Sequence, residues 1–443
     1  MQRLIPTRSV SEEFIAYPET LTPALSQRER ESKWIGFKDI MPEIIVHLDA
    51  DCFYCSAERV RHPHLRHMPV GVLGNHGACI IAKSYEMKAA GVRTGTPIWE
   101  ALPICPEGVY VKRDFEWYEV LSRKMLAFVR EISPRVEYYS IDEFFFSAAG
   151  ATLADAHRLQ RDLLGRVGVP VSIGMAPTKT LAKLISDSVK PYGCGVLRNE
   201  ADRERLLAGL PVGEITGIAG RSVKKLAAHG IATCAQFAAA DRAFIRWLLT
   251  KRGEDLWWEL NGTPVQPILI ARPDHKFISR GGSIGASSND PARVQAFVVR
   301  NVERLVEALD HYHVVCDFLT LSLLFTDRPE RARRVKFAGS TADGEQLTQA
   351  ALWLLPQVWQ PPTAPVHYMH VIAGGLRPAA KRQLSLFEQP SDISTRIAET
   401  KRRINQQLGR FALRGALTLP LADVHSDAAN EYDICDIYGK TCF

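Results

Sequence analysis

The chain has 443 residues, 46% of them apolar and 23% charged, with a net charge of +6. One core cannot serve that length, so about two to four domains are expected. The longest apolar runs fall far short of a membrane span, no basic-then-apolar leader opens the sequence, and nine cysteines lack framework spacing, which together point to a reducing, cytoplasmic setting with no membrane partner.

Residues 1–42 are polar, broken by Pro6, Pro18 and Pro23, and carry the charge run from Gln27 to Glu31. They are expected to be a disordered extension, with Met41 as an alternative start. The β-branched run Ile44–Leu48 is a buried strand. Ser56–Arg61 reads as a short helix. Pro69–Leu73 and Ala78–Lys83 read as strands joined by a turn at Gly74–Gly77. Tyr85–Ala90 is a helical turn closed by Gly91. Ile98–Leu102 is a short helix and Val109–Lys112 a strand. Glu116–Arg130 and Leu153–Val167 have helical apolar spacing. Val169–Met175 is a strand, and the helix Thr178–Val189 stops at Pro191.

From Pro211 the texture changes to short helices, with helix–turn–helix pieces around Gly217–Gly220 and Gly230. Residues 265–275 form a Pro-rich linker. Strand Lys276–Gly285, helix Ala292–Leu309, strands Cys316–Thr326 and Arg333–Ala338, helix Glu345–Gln357 and strand Val366–Ala373 follow. This β-α-β-β-α-β order is the ferredoxin-like motif, which covers one sheet face with helices and leaves the other free. Arg331, Arg333, Arg334 and Lys336 make its hairpin basic. The tail is polar, with a basic helix at Thr395–Leu408, including Lys401, Arg402 and Arg403, and then a strand-like end. The fold class is α+β, in several domains.

Two acidic clusters carry the chemistry. Asp49 and Asp51 end the first strand. Asp142 and Glu143 interrupt an apolar run between Val136 and Phe146. Buried carboxylates are costly unless a positive charge neutralises them. A divalent cation is the usual solution, and a pair of Mg²⁺ ions clamps the attacking and leaving oxygens of a phosphoryl transfer. Adjacent strand residues face opposite ways, so Asp142 and Glu143 reach one site only at a turn, where a tight hairpin brings them beside Asp49. Strand-end acids are also common as caps and turn formers. Cys52 and Cys55 form a CxxC with no second pair at zinc spacing, so metal or redox work is not expected there, and Cys435 and Cys442 read as small packing residues.

Leu48-Asp49-Ala50-Asp51-Cys52-Phe53-Tyr54, Tyr139-Ser140-Ile141-Asp142-Glu143 and Pro177-Thr178-Lys179-Thr180-Leu181-Ala182-Lys183, followed by Lys190-Pro191-Tyr192-Gly193, occur in that order. Together they resemble the signature set of the Y-family (translesion) DNA polymerases, over residues 43–387. The resemblance implies a right-hand polymerase: a ferredoxin-like palm (43–52 and 115–197), small fingers (53–114), a helix-hairpin-helix thumb (198–264), a βαββαβ little finger (276–378) and a tail (379–443). It implies that Asp49, Asp142 and Glu143 hold two Mg²⁺ ions, with the backbone carbonyl at Ala50 as a further ligand and Asp51 in support. Tyr54, beside Phe53, matches the steric gate that excludes a ribose 2′-hydroxyl. Tyr85, Lys88 and Lys190 match triphosphate-binding positions. Lys88 stands where the commoner pattern has arginine, as in the polymerase V branch, and lacks arginine's bidentate fork.

The resemblance further assigns DNA-backbone contacts to Lys179, Lys183, the Gly217–Gly220 hairpin turn and Arg331, Arg333 and Arg334. Ala219 replaces the usual second glycine of that turn. Cys79 and Ile81 lie on the strand expected over the template base. Gln383-Leu384-Ser385-Leu386-Phe387 looks like a sliding-clamp motif, with Leu386 and Phe387 filling an apolar pocket and Gln383 at its rim. The implied partners are primer-template DNA, deoxynucleoside triphosphates and the clamp's beta subunit, with the enzyme a monomer. Two other readings differ in class. A non-catalytic DNA- and clamp-binding scaffold would have lost the carboxylates that this chain keeps. A nucleotidyl cyclase would share the palm but lack the thumb and clamp peptide.

Overall fold

The computed structural model describes residues 4–5, 43–74, 79–271, 273–327, 330–360, 364–381, 392–409 and 411–425. The protein divides into two compact units, one running to Arg272 and one starting at Pro273. Among the described residues no helix is long and apolar enough to cross a membrane.

The first unit is organised by one sheet. Its strands are β1 (Ile45–Ala50), then, beyond an insertion, β5 (Val136–Tyr138), β6 (Glu143–Ser147), β7 (Val171–Ala176) and β8 (Cys194–Val196). Their spatial order is β5-β6-β1-β7-β8. Neighbours are antiparallel except β7 and β8. Helices α4 (Phe115–Ile132), α5 (Leu153–Val167) and α6 (Lys179–Ser188) connect these strands. β1 is buried along its whole length, as its β-branched, apolar composition requires. A Cβ at Gly174 on β7 would meet the Ala182 carbonyl oxygen at 2.0 Å and the Ser186 nitrogen at 2.5 Å. Only glycine therefore lets α6 lie this close to the sheet.

The insertion after β1 holds α1 (Phe53–Arg61), β2 (Val70–Leu73), β3 (Ile80–Lys83), α2 (Tyr85–Ala89), α3 (Ile98–Ile104) and β4 (Val109–Lys112). β2 and β3 form the expected antiparallel pair, and β4 joins β2 in parallel. A two-residue strand, Leu4–Ile5, pairs with β4. It departs from an unstructured 1–42; the rest of that expectation lies outside the described residues.

Helices α7 (Glu200–Gly209), α8 (Gly220–Ala227), α9 (Cys234–Ala239) and α10 (Arg242–Leu260) complete the unit. α10 is two short helical segments that meet at a kink at Thr250, whose φ of 65° is non-helical, in keeping with the short helices expected from Pro211 on. The bend breaks the apolar period, so no single helical stripe runs through the sequence. The linker is shorter than 265–275. The N–H groups of Val265 and Gln266 donate to Glu259, each at 2.9 Å, and Leu269 N–H donates to Glu137 at 2.8 Å. Ile268 is buried in the helical core.

The second unit contains β9 (Phe277–Ser288), α11 (Pro291–His311), β10 (Val314–Phe325), β11 (Arg331–Thr341), α12 (Gly344–Val358), β12 (Val366–Gly374) and β13 (Arg377–Pro378), which pairs with β10. The β-α-β-β-α-β element order is as expected, and the sheet order is β9-β12-β10-β11. That order corrects the ferredoxin-like assignment here. In the first sheet the opening strand sits between the third and fourth strands of its motif; in the second it lies at an edge, and the second strand takes the central place. Helix α13 (Asp392–Leu408) returns to α11 through Lys401–Glu303 (2.5 Å) and Arg402–Asp310 (3.0 Å). The strand-like end is not found among described residues 411–425. A 3₁₀ turn (Ala416–Leu421) stands there, with Leu421 and Val424 in the second unit's core.

Candidate active site

Alternation along β1 puts His47 and Asp49 on one face. Asp49 is paired in register with Glu143, the first residue of β6. The metal-ligating atoms of His47, Asp49 and Glu143 all lie within 4.8 Å of one another. Asp142 stands in the preceding turn. Its carbonyl accepts the Ala50 N–H at 2.9 Å, and its carboxylate accepts the Ser140 hydroxyl. The structure thus brings Asp49 and Glu143 together and adds His47. It leaves the Asp142 carboxylate outside that group, because only one of two adjacent side chains can follow the strand face.

Two ammonium groups neutralise the pair. Lys183 on α6 lies 3.0 Å from Glu143 and 3.8 Å from Asp49. Lys190 lies 2.7 Å from Asp49 and 2.8 Å from Asp187. Burial works against charge on either lysine, but the facing carboxylates outweigh it and raise both pKa values. Burial, with Glu143 opposite, pushes Asp49 up to about 7 despite Lys190. Burial also works to raise Glu143, yet His47 and the Lys183 ammonium hold it down at about 2. Complete burial lowers His47 to about 4, so its ring is neutral at pH 7.

Asp51 has its own set of partners. It accepts the Tyr85 hydroxyl at 3.0 Å, the Ser172 hydroxyl at 3.0 Å and the Tyr192 N–H at 2.8 Å. It ties β1 to β7, to α2 and to the segment after Lys190. Tyr85 is engaged by Asp51, while Lys88, further along α2, is exposed. Tyr54 stacks on Tyr118 at 4.6 Å and meets Phe115 edge-on at 5.7 Å, and Phe53 is buried behind it. Burial and then the Asp142 charge raise the Tyr54 phenol. Cys79 bridges to Pro97, and Ile81 is half-buried on β3.

The expected DNA contacts separate. Lys179 is buried, with its ammonium 2.7 Å from Glu137 and 4.7 Å from the Phe145 ring centre. It is a structural ion pair, which corrects its assignment to DNA. Lys183 belongs to the carboxylate site. Gly217 has φ 101° and Gly220 starts α8, so that turn needs glycine at Gly217. On the edge strand β11, Arg334 pairs across from Thr320 and lies over Phe318 at 4.0 Å. Arg331 and Arg333 pair across from the buried Leu323 and Leu321. The three arginines therefore do not share one face. Gln383, Leu384, Leu386 and Phe387 lie outside the described residues.

Reading the sequence by motif passed over His47, Ser172, Asp187 and Glu137. Two-residue spacing from Asp49 was the available signal for His47, but a lone histidine in an apolar strand reads as packing. The others depend on pairings between distant segments. The donor set fits a divalent cation. Two carboxylates and an imidazole nitrogen converge, lysines balance their charge, and the buried Nε2 of His47 has no hydrogen-bond partner.

Comparison with known proteins agrees in extent. Residues 48–187 match the model of the impB/mucB/samB family, and residues 275–386 match that of its C-terminal domain. DNA polymerase IV of Oceanobacillus iheyensis is 30% identical, covering 83% of this chain and 84% of its own. Protein ImpB of Salmonella typhimurium is 32% identical, covering 84% and 93%. Among solved structures, a Y-family DNA polymerase chimera of Dbh and Dpo4 aligns with a TM-score of 0.64 at 20% identity, covering 75% of this chain and 99% of that one. With the paired carboxylate strands and two relatives at or above 30% identity, the chain belongs to the impB/mucB/samB family of Y-family, DNA-directed DNA polymerases.

Proposed function

We propose that this protein performs error-prone translesion synthesis by two-metal nucleotidyl transfer. It adds deoxynucleotides to a primer 3′ end opposite damaged template, as a cytoplasmic monomer in DNA repair or SOS-type damage tolerance. The observation that carries this reading is the convergence of Asp49 and Glu143 on paired central strands under two lysines. In this reading the palm is 43–52 and 115–197, the fingers 53–114, the thumb 198–264 and the little finger 276–378.

Asp49, Asp142 and Glu143, with the carbonyl at Ala50, would hold two Mg²⁺ ions, which would lower the pKa of the primer hydroxyl and stabilise charge on the leaving pyrophosphate. Lys190, freed from Asp49, meets the β- and γ-phosphates together with Tyr85 and Lys88. Tyr54, braced by Tyr118 and Phe115, sits under the sugar and excludes a 2′-hydroxyl. The Gly217–Gly220 turn and Arg334, with Arg331 and Arg333 from the other face of β11, hold phosphates without reading bases, while Lys183 stays with the carboxylates. Gln383, Leu384, Leu386 and Phe387 dock on the clamp's beta subunit.

Primer extension on undamaged and lesion-bearing templates, with and without clamp, tests this. Asp142→Ala combined with Glu143→Ala must abolish extension. Unchanged extension would falsify the assignment of the site.

A further inference from the structure

Helix α13 turns polar residues toward its own unit and apolar ones toward solvent. Lys401 pairs with Glu303 and Arg402 with Asp310, both on α11. Asn405 exchanges two hydrogen bonds with the backbone of Leu413. Ile397, by contrast, is 63% exposed and Leu408 75%. A surface helix ordinarily buries such residues against its host and leaves the charged ones outside.

At about 100° per residue, Ile397, Ile404 and Leu408 fall within roughly 40° of one another and form a single stripe. Lys401, Asn405 and Arg402 lie to one side of it, on the flank that meets the host. Arg396 and Arg403 lie about 100–120° round the helix on the other side. Both arginines are exposed, and among the described residues neither pairs with a carboxylate. Leu413, tied to Asn405, is exposed too, as are Leu417 and Leu419 in the following 3₁₀ turn. Scattered apolar side chains are ordinary on a surface, but a run of them rimmed by charge marks a contact surface.

We propose that α13 and the turn after it form a docking surface for an acidic amphipathic helix of a partner protein. The partner's apolar side chains cover the stripe, and its carboxylates meet Arg396 and Arg403. Charge selects this occupant. A second copy of α13 would set arginine against arginine. A nucleic-acid backbone would use the arginines but gain nothing from the aliphatic stripe. An anionic membrane draws on cations free to face it, whereas Lys401 and Arg402 are already held by α11. The surface lies outside residues 48–187 and 275–386, which match the family models, so the inference goes beyond the polymerase reading and does not depend on it.

The test uses the full-length protein and a fluorescein-labelled synthetic helix of about four turns, with leucines at i, i+4, i+7 and i+11 and glutamates on both flanks. Binding is read by anisotropy. The same leucines flanked by lysines should bind at least about 10-fold more weakly. Ile397→Glu combined with Leu408→Glu should weaken the acidic helix by at least about 10-fold. Arg396→Gln with Arg403→Gln should weaken it less and flatten its salt dependence. All four side chains are exposed, so the fold and clamp-free primer extension should hold, which keeps this outcome separate from that of the polymerase reading. An acidic helix that binds no better than the basic one, or equally well to the Ile397→Glu, Leu408→Glu protein, overturns the proposal. So does a stripe that serves another occupant: self-association in sedimentation, or binding to phosphatidylglycerol vesicles or single-stranded DNA, that those two substitutions abolish while peptide binding persists.

Discussion

Both large sheets are built from the same run of elements, yet they pair their strands differently. In the first unit β1 and β6 are neighbours, which sets Asp49 directly across from Glu143. In the second unit β10 and β12 take the middle, and their facing residues include Leu321 with Val371 and Leu323 with Met369. One central pair concentrates charge. The other is filled with buried hydrocarbon, and its polar chemistry moves to the edge strand β11. Equal element order thus accommodates a carboxylate cluster on the central strands of one unit and a hydrocarbon centre with a basic edge strand in the other. What decides is which strands meet.

The sharpest way to break that contrast is to neutralise one central pair and hollow out the other. Asp49→Asn or Glu143→Gln should slow primer extension by at least about 10²–10³-fold, the scale of losing one preorganised electrostatic contact, with the unfolding midpoint little changed. Leu321→Ala should do the reverse. It should cost about 2–5 kcal/mol in denaturant unfolding through an unfilled cavity, while the single-turnover rate on bound substrate holds. Equal losses of rate from both variants would erase the distinction.

Next in size is the buried ion pair beside the catalytic strands. Lys179→Met leaves Glu137 charged and unpaired, and should destabilise the first unit by about 3–5 kcal/mol in urea titrations. Adding Glu137→Gln should recover much of that. Tyr54→Ala should raise the ratio of ribonucleotide to deoxynucleotide incorporation by about 10- to 100-fold, measured with matched triphosphates. On the second sheet, Arg334→Gln should reduce the slope of log affinity against log salt by about 0.9, and Arg333→Gln by less.

The smallest expected effect is on pH dependence in metal-free protein. Asp49 rises from an ordinary 3.8 to about 7, so the folded state keeps a proton that the unfolded state has lost. Its contribution is full at low pH and is lost as pH rises through that window. His47 falls from 6.5 to about 4, so it destabilises the fold in acid and that penalty disappears as pH rises toward 6.5. The two oppose each other between roughly 4 and 6.5. Thermal midpoints of His47→Phe should therefore fall as pH climbs from 4 to 7, and those of Asp49→Asn should not.

The strands most readily read from sequence were those with dense β-branched or apolar content, such as β1 and β10. The hairpin of β2 and β3 was legible from the glycines between its strands. Strand order in the second sheet was not, since one element order accommodates two pairings and local pattern does not choose between them. Lys179 and Lys183 look equivalent along a helix, one turn apart. Their fates diverge because Glu137 and Glu143 arrive from other strands. Acidic clusters were visible as clusters; which carboxylate joins the group depended on where β6 begins.

The return of α13 onto α11 has a consequence for the stretch that carries Gln383 to Phe387. Residues up to Lys381 follow β13, which is stitched to β10, and the helix from Asp392 is held to α11 by Lys401 and Arg402. Both anchors belong to one unit. The described residues on either side of 382–391 are therefore tied to the same unit, and a cut between Lys381 and Asp392 should leave the fragment beginning at Asp392 held by Lys401 and Arg402.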